Sequence, residues 1–423
     1  CIKMRLTDAY RSAYFKISPR LAGWKRHFPR PREHDIFLSR LKEIQQRKPT
    51  YCGDRLDEAV SWVKRQFNSL RVEPQQLLYS WTVLQKATSP GLHLQDGDFV
   101  RLYRTKTDVP YGIIRREVSR FKQQGYIDTP TTIAYRSHVC EGEPKVRTVF
   151  VVPYSVCATE GMFAIPIMNY LKKSAYSCPS GLQHKWFSGG FRHFKSALAA
   201  HKGTPVCLDY KSFDMSIQGW LLDIAFNVIR GMLVITDPVK EGLFWQTVEY
   251  FKHTPVRHEG KTRILPGLPS GSMWTNLVGT IINLIAQRYI FGKDLQFAKG
   301  FGDDSASMVV NPPSLRVIAR RAMDLCLEVS MNKSVIGQIR WLGFDCSGPA
   351  PLLLNPLKMW ASFFHPEGKD LSIEHHKGRL MGMILSSLGD RRFLDDAMLI
   401  WNSLEGIDPY ISSSLARTME YRG

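Results

Sequence analysis

The chain has 423 residues, 44% apolar and 22% charged, which excludes wholesale disorder and predicts two or three subdomains or one large multi-lobed enzyme. Lys and Arg number 57 against 38 Asp and Glu, a net charge of +19, and the first fifty residues hold 13 basic side chains against 4 acidic ones. An excess spread over an enzyme-sized chain points to a polyanionic partner, most simply nucleic acid, ahead of a membrane surface, because no long basic amphipathic helix stands out.

No stretch approaches the ~18 uninterrupted apolar residues of a spanning helix. The best candidate, Leu277–Ile290, is broken by Asn283, Gln287 and Arg288. The chain opens Cys1-Ile2-Lys3-Met4-Arg5, with neither a signal-peptide core nor an initiating Met, so a soluble piece of a longer reading frame is expected. Eight scattered cysteines without a C-x-x-C pair argue against a zinc ribbon and a disulfide framework, and fit a reducing compartment. His138-Val139-Cys140 and His375-His376 lack a second half at metal spacing and read as ordinary residues.

Residues 1 to about 200 mix short helical patterns with loops punctuated by Pro and Gly. Pro205-Val206-Cys207-Leu208 then reads as a buried strand ending at Asp209. Beyond Asp214, Ile217, Leu221, Ile224 and Val228 keep helical spacing. Residues Pro266 to Ser272 form a loop, and Trp274, Leu277, Val278, Ile281, Ile282 and Ile285 mark one face of a long helix behind it. Leu295–Ala298 and Ala306–Val310 flank Gly300-Phe301-Gly302-Asp303-Asp304 as a hairpin that Asn311-Pro312-Pro313 ends. Ser314 is placed to cap a helix carrying Leu315, Ile318, Ala322, Leu325 and Val329, and Trp341–Phe344 reads as a further short strand. The predicted class is α+β, an antiparallel sheet with helices on one face.

Two acidic sites stand out: Asp209 at a strand end, and Asp303-Asp304 at a hairpin turn where Gly302 allows the chain to reverse. If the first strand lies beside the hairpin, these carboxylates meet at one sheet edge, the donor set two Mg²⁺ ions need. A Gly-Asp-Asp alone is weak, arising by chance in roughly 5–10% of chains this long at average composition. Asp395-Asp396 serves as a control: it lacks the glycine and reads as solvated helix surface.

Order and spacing raise the first site. Asp209-Tyr210-Lys211-Ser212-Phe213-Asp214, Leu268-Pro269-Ser270-Gly271-Ser272-Met273-Trp274-Thr275 and Phe301-Gly302-Asp303-Asp304-Ser305 resemble motifs A, B and C of viral RNA-dependent RNA polymerases. The detail is similar to partitiviruses and picobirnaviruses, which have segmented double-stranded RNA genomes. Thr88-Ser89-Pro90-Gly91 resembles motif G, and Lys145-Val146-Arg147-Thr148-Val149, followed by Pro153 and Glu160, resembles motif F. Asn332-Lys333-Ser334 and Trp341-Leu342-Gly343 resemble motifs D and E.

The resemblance implies a right hand. Residues 1–205 would hold the amino-terminal segment and fingers, 206–232 palm, 233–265 a fingers insertion, 266–356 palm, and 357–423 a thumb, with the amino-terminal segment bracing fingers against thumb. Asp209, Asp303 and Asp304 would be the catalytic metal ligands, for two Mg²⁺ or for Mn²⁺ in their place. Lys333 would be the general acid for departing pyrophosphate. Lys145 and Arg147, which share a face if the segment is a strand, would neutralise the incoming triphosphate. Asp214 would read the ribose 2′-hydroxyl. Ser270, Gly271 and Thr275 would follow the nucleotide, and Ser89, Gly91 and Trp341 the template and primer. Many relatives carry Asn or Asp four residues after the motif B Thr; here that position is Gly279, and either Asn283 or Asn276 is expected to substitute.

The implied partners are an RNA template and product, NTPs and a viral capsid protein, with no membrane, and the implied location is host cytoplasm or virion interior. Two competing readings share many of these features: a reverse transcriptase, and an inactive polymerase-like RNA-binding protein.

Overall fold

The computed structural model describes residues 7–143, 146–174, 178–182 and 190–404. Lys145 lies outside them. Among the described residues, no helix is long and apolar enough to cross a membrane, and the seven described cysteines are free thiols.

The centre is a four-stranded antiparallel sheet in the order Val335–Ile336, Thr204–Cys207, Asp304–Val309, Leu295–Phe301. Strands three and four run almost into one another, so the hairpin turn is only Gly302-Asp303, tighter than the sequence pattern indicates. The long helix Thr275–Phe291 packs beneath this hairpin, and its Leu277, Val278, Ile281, Ile282 and Ile285 are all buried. Beside it lie helices Gly53–Gln66, Gly219–Arg230 and Leu315–Met323. The last begins after Ser314, which takes the N-cap position but makes no side-chain capping hydrogen bond. It stops at Met323, short of Val329, because the chain turns back at Cys326, whose φ is +64°.

A second sheet lies in the order Trp24–His27, Thr131–Glu141, Thr254–His258, Lys261–Leu265, and Val146–Val151 also pairs with the long strand Thr131–Glu141. The predicted strand Trp341–Phe344 is instead a hairpin. Arg340–Trp341 pairs with Phe344–Asp345 about Leu342 (φ +48°) and Gly343 (φ +83°), a turn that needs two left-handed residues.

The amino-terminal segment spans the molecule. Helix Asp8–Ile17 meets the carboxy-terminal helices Ile373–Ser386 and Arg391–Asn402: the Tyr10 hydroxyl is 3.0 Å from His376 Nε2, and Thr7 Oγ1 donates to Ser403 O at 2.9 Å. Arg20 pairs with Asp396 at 2.5 Å, so the Asp395-Asp396 control pair is not simply solvated helix surface. Trp24–His27 then adds a strand to the second sheet, and helix Glu33–Gln45 packs Phe37 and Leu41 into the central core with Phe213 and Ile217.

Candidate active site

The catalytic reading requires two loops to meet. The strand pairing sets Ser307 opposite Val206, and continuing that register places Ser305 opposite Leu208. Ser305 Oγ accepts from Leu208 N at 3.0 Å and donates to Leu208 O at 3.1 Å, which fixes the alignment. One step further, Asp304 faces Asp209. The strand-end acid and the glycine-turn pair therefore share one end of the central sheet.

That end opens onto a cavity of about 1040 Å³ lined by Asp209, Asp214, Asp303, Ser270, Arg147 and Lys333. A second cavity of about 610 Å³ shares Asp214, Asp303 and Ser270, and adds Thr275, Asn276 and Gly302. Both carboxyls common to the two cavities face open space while protein mass surrounds them elsewhere. Loss of bulk solvent, more than any neighbour, pushes Asp214 up to about 6, with the charge of Asp303 adding to it. Burial likewise raises Asp303, helped by Asp209 and opposed by Arg147 and Lys333. Asp304 is pushed up to about 7 by burial first and then by the charges of Asp303 and Asp209.

Asp214, Asp303 and Asp304 are thus each costly to ionise beside their neighbours. Lys333 offsets part of this cost, with its ammonium 3.4 Å from Asp209 Oδ1. Among the described residues, no three His, Cys, Asp or Glu side chains are drawn tightly enough together to hold a metal ion as they stand. The carboxylates ring the cavity instead of closing on one point. An all-carboxylate set whose charge is under-compensated is the donor chemistry hard divalent cations satisfy.

The turn carrying Asp303 is braced from below by a polar stripe on an otherwise apolar helix. Gly302, at φ +58°, donates its N–H to Thr280 Oγ1 at 3.0 Å. Asn283 Nδ2 donates to Gly302 O at 2.8 Å and to Asp304 O at 3.0 Å. Gln287 in turn donates to Asn283 Oδ1 and to Lys299 O, and accepts from Ser307. Asn283 is fully buried and its amide is committed to the turn. Asn276 instead lines the second cavity, and its carboxamide has no hydrogen-bond partner among the described residues.

The loop Pro269–Met273 is stitched to the segment Val146–Glu160. Ser270 Oγ accepts from Phe150 N at 3.1 Å, and a Cβ on Gly271 would lie 2.1 Å from Phe150 O, so only glycine fits that approach. Glu160, fully buried, accepts from Ser272 Oγ and Met273 N, each at 2.8 Å. Desolvation pushes its carboxyl up to about 7 despite those two donors. Thr275 Oγ1 donates to Pro269 O at 2.6 Å and closes the loop, while its side chain borders the second cavity.

Three predicted contacts fall elsewhere. Trp341 is 1% exposed and stacks on Phe194, so it is core and not a grip on primer or template. Gly91 is buried against Pro153, and Ser89 Oγ accepts from Gly91 N at 3.4 Å; neither is among the residues lining the two cavities. Sequence reasoning also passed over Arg40 and Gln45, which donate to Ser212 Oγ and to Met215 O and Ile217 O, and it named Asn283 only as a sugar partner, not as part of a brace with Thr280 and Gln287. The brace left a signal, polar residues at helical spacing on a buried face, whereas Arg40 and Gln45 left none.

Residues 138–314 match the family model described as viral RNA-dependent RNA polymerase. The structure of an insertion-loop deletion mutant of the RNA-dependent RNA polymerase of a human picobirnavirus superposes with a TM-score of 0.68 at 13% identity, covering 96% of this chain and 87% of that one. The structure of the human picobirnavirus RNA-dependent RNA polymerase gives 0.67 at 12% identity, covering 92% and 78%. This is the fold of a viral RNA-dependent RNA polymerase. The right-hand architecture that the motifs imply is therefore present. In sequence, the chain is 26% identical over 269 residues to the RNA-directed RNA polymerase of Cryptosporidium parvum virus 1 (strain KSU-1), covering 60% of this chain and 49% of that protein. The chain spans about half the length of this curated relative.

Proposed function

We propose that this polymerase-like chain carries out template-directed RNA synthesis by two-metal nucleotidyl transfer, serving the replication and transcription of a viral RNA genome. The observation that carries the reading is the register that sets Asp304 opposite Asp209 at the mouth of a cavity also lined by Asp214, Arg147 and Lys333. Residues 1–205 and 233–265 would be fingers, 206–232 and 266–356 palm, and 357–423 thumb.

Asp209 and Asp303, with Asp304 beside them, are the residues that would hold two Mg²⁺ ions, or Mn²⁺ in their place. Such ions lower the pKa of an attacking hydroxyl and neutralise the triphosphate. The remaining work belongs to this chain. Arg147 lines the same cavity as the acids and offsets charge on the incoming phosphates. Lys333 sits at Asp209 and protonates the departing pyrophosphate. Asp214 and Asn276 present an acceptor and an amide to the ribose, so the sugar partner displaced from Gly279 is Asn276. Holding the 3′-hydroxyl and α-phosphate in line supplies most of the acceleration.

The partners of such an enzyme are an RNA template, its product and NTPs, with a capsid protein as a further candidate, in host cytoplasm or the virion interior. Supplying the purified chain with an RNA template, Mg²⁺ and either NTPs or dNTPs tests the reading. It expects NTP incorporation in strong preference. Preferred use of dNTPs would make the chain a reverse transcriptase, and RNA binding without incorporation would make it an inactive binding protein.

A further inference from the structure

The segment that carries Asp214 has little to hold it in place by itself. After Asp209 the chain passes through Ser212 at φ +50° into a helix of four residues, Phe213–Ser216, which has no side-chain cap. One turn of helix does not stand alone, because nucleation costs more than one hydrogen bond returns. The Asp214 carboxyl has no hydrogen-bond partner among the described residues, so its aim depends on its backbone.

That backbone is fastened from outside by residues about 170 positions earlier. Gln45 Nε2, at the end of helix Glu33–Gln45, donates to Met215 O at 2.6 Å and to Ile217 O at 2.9 Å. Arg40 Nη2 donates to Ser212 Oγ at 2.7 Å, at the other end of the turn. Gln218 Nε2 reaches back to Arg47 O at 2.6 Å, and Trp220 Nε1 donates to Gln218 Oε1 at 2.9 Å. Arg47 and Lys211 both bind Glu328 at 2.7 Å, which ties the strap to the chain just past Asp209. On the inner side, Leu268 N donates to Asp214 O at 2.9 Å. The acid is gripped between the loop bearing Ser270 and the amino-terminal strap.

We propose that residues 40–47 form a positioning element for the nucleotide's sugar, with Gln45 as its central residue: the strap sets where Asp214 points, and so how strongly a ribonucleotide is preferred. Gln45 touches neither substrate nor metal ligand. It saturates two carbonyls that a free helical turn would leave to water, and this keeps the turn in one place. The inference rests on the polymerase reading.

The experiment compares Gln45→Met, which keeps the length and removes the donor, with Gln45→Lys, which restores a donor. KM and kcat are measured for NTP and for dNTP on one RNA template. The proposal expects Gln45→Met to raise KM for NTP and to narrow the NTP-over-dNTP preference by about ten-fold, the scale of a lost hydrogen bond. Gln45→Lys should recover most of both, with RNA affinity unchanged throughout. Gln218→Met, which opens the second fastening, should narrow the preference in the same direction and keeps the question open to measurement if Gln45→Met fails to fold. Variants that slow NTP and dNTP equally, or that keep the wild-type preference, would overturn the inference. Wild-type protein that incorporates no NTP would instead overturn the polymerase reading beneath it.

Discussion

Two loops bring carboxylates to the same cavity, and they are held in opposite ways. The glycine turn with Asp303 is braced by the helix that precedes it, through Thr280, Asn283 and Gln287, all within about thirty residues. The loop with Asp214 is braced by an amino-terminal helix far away in the chain, through Gln45, Arg40 and the Gln218–Arg47 bond. A local brace ties the glycine turn to the rigid core. A remote one ties the Asp214 loop to a segment that also reaches the carboxy-terminal helices, so under the proposed function the geometry of sugar selection would be shared with the rest of the molecule.

Breaking the local brace should have the largest effect. Asn283→Ala removes the side-chain donor to Gly302 O and Asp304 O and should cost about 2–4 kcal/mol, measured by chemical denaturation. Activity should fall with stability and sugar preference should not change, since Asn283 does not reach the substrate. Asn276→Ala should do the reverse: normal stability, with the NTP-over-dNTP preference narrowed about ten-fold in single-nucleotide kinetics. If the two variants exchanged these signatures, the assignment of the motif B partner would be wrong.

A subtler test uses pH on the loop between the two regions. Buried Glu160 titrates near 7 in the folded protein, above its unfolded value, so the fold binds the extra proton between about pH 4 and 7. The stability this proton contributes is complete below that window and is lost as pH rises through about 7. Glu160→Gln keeps an acceptor for Met273 N and cannot ionise. The difference in melting temperature between variant and wild type should therefore grow in favour of the variant from pH 5 to pH 8. A constant difference would contradict the raised value. The smallest effect is expected of Trp341→Phe, because the indole nitrogen is buried without a partner and the ring packs on Phe194. RNA affinity and its salt dependence should be unchanged.

The same contrast explains what the sequence made legible. The strand before Asp209 and the hairpin carry short apolar runs bounded by turn residues, the long helix carries a helical apolar pattern, and all three are where the patterns put them. The resemblance to motif E assigns Trp341 to the primer, whereas its own segment reads as a strand, and its burial shows that it fills a core. Gln45 and Arg40 were invisible because a hydrogen bond to a backbone carbonyl 170 residues away leaves no local pattern. Asn283 and Asn276 were indistinguishable until one was seen to be spent on the turn and the other open to the cavity.

The central claim is that Asp209 and the Asp303-Asp304 pair act together as a divalent-ion site for nucleotidyl transfer. The direct measurement is Mg²⁺-dependent NTP incorporation on an RNA template by wild type, Asp209→Asn and Asp303→Asn, with RNA binding followed in parallel. Wild type should incorporate, and each variant should lose activity by at least about a hundred-fold, the scale of removing one electrostatic partner of a transition state, while binding RNA normally. Incorporation by Asp303→Asn at the wild-type rate would contradict the account.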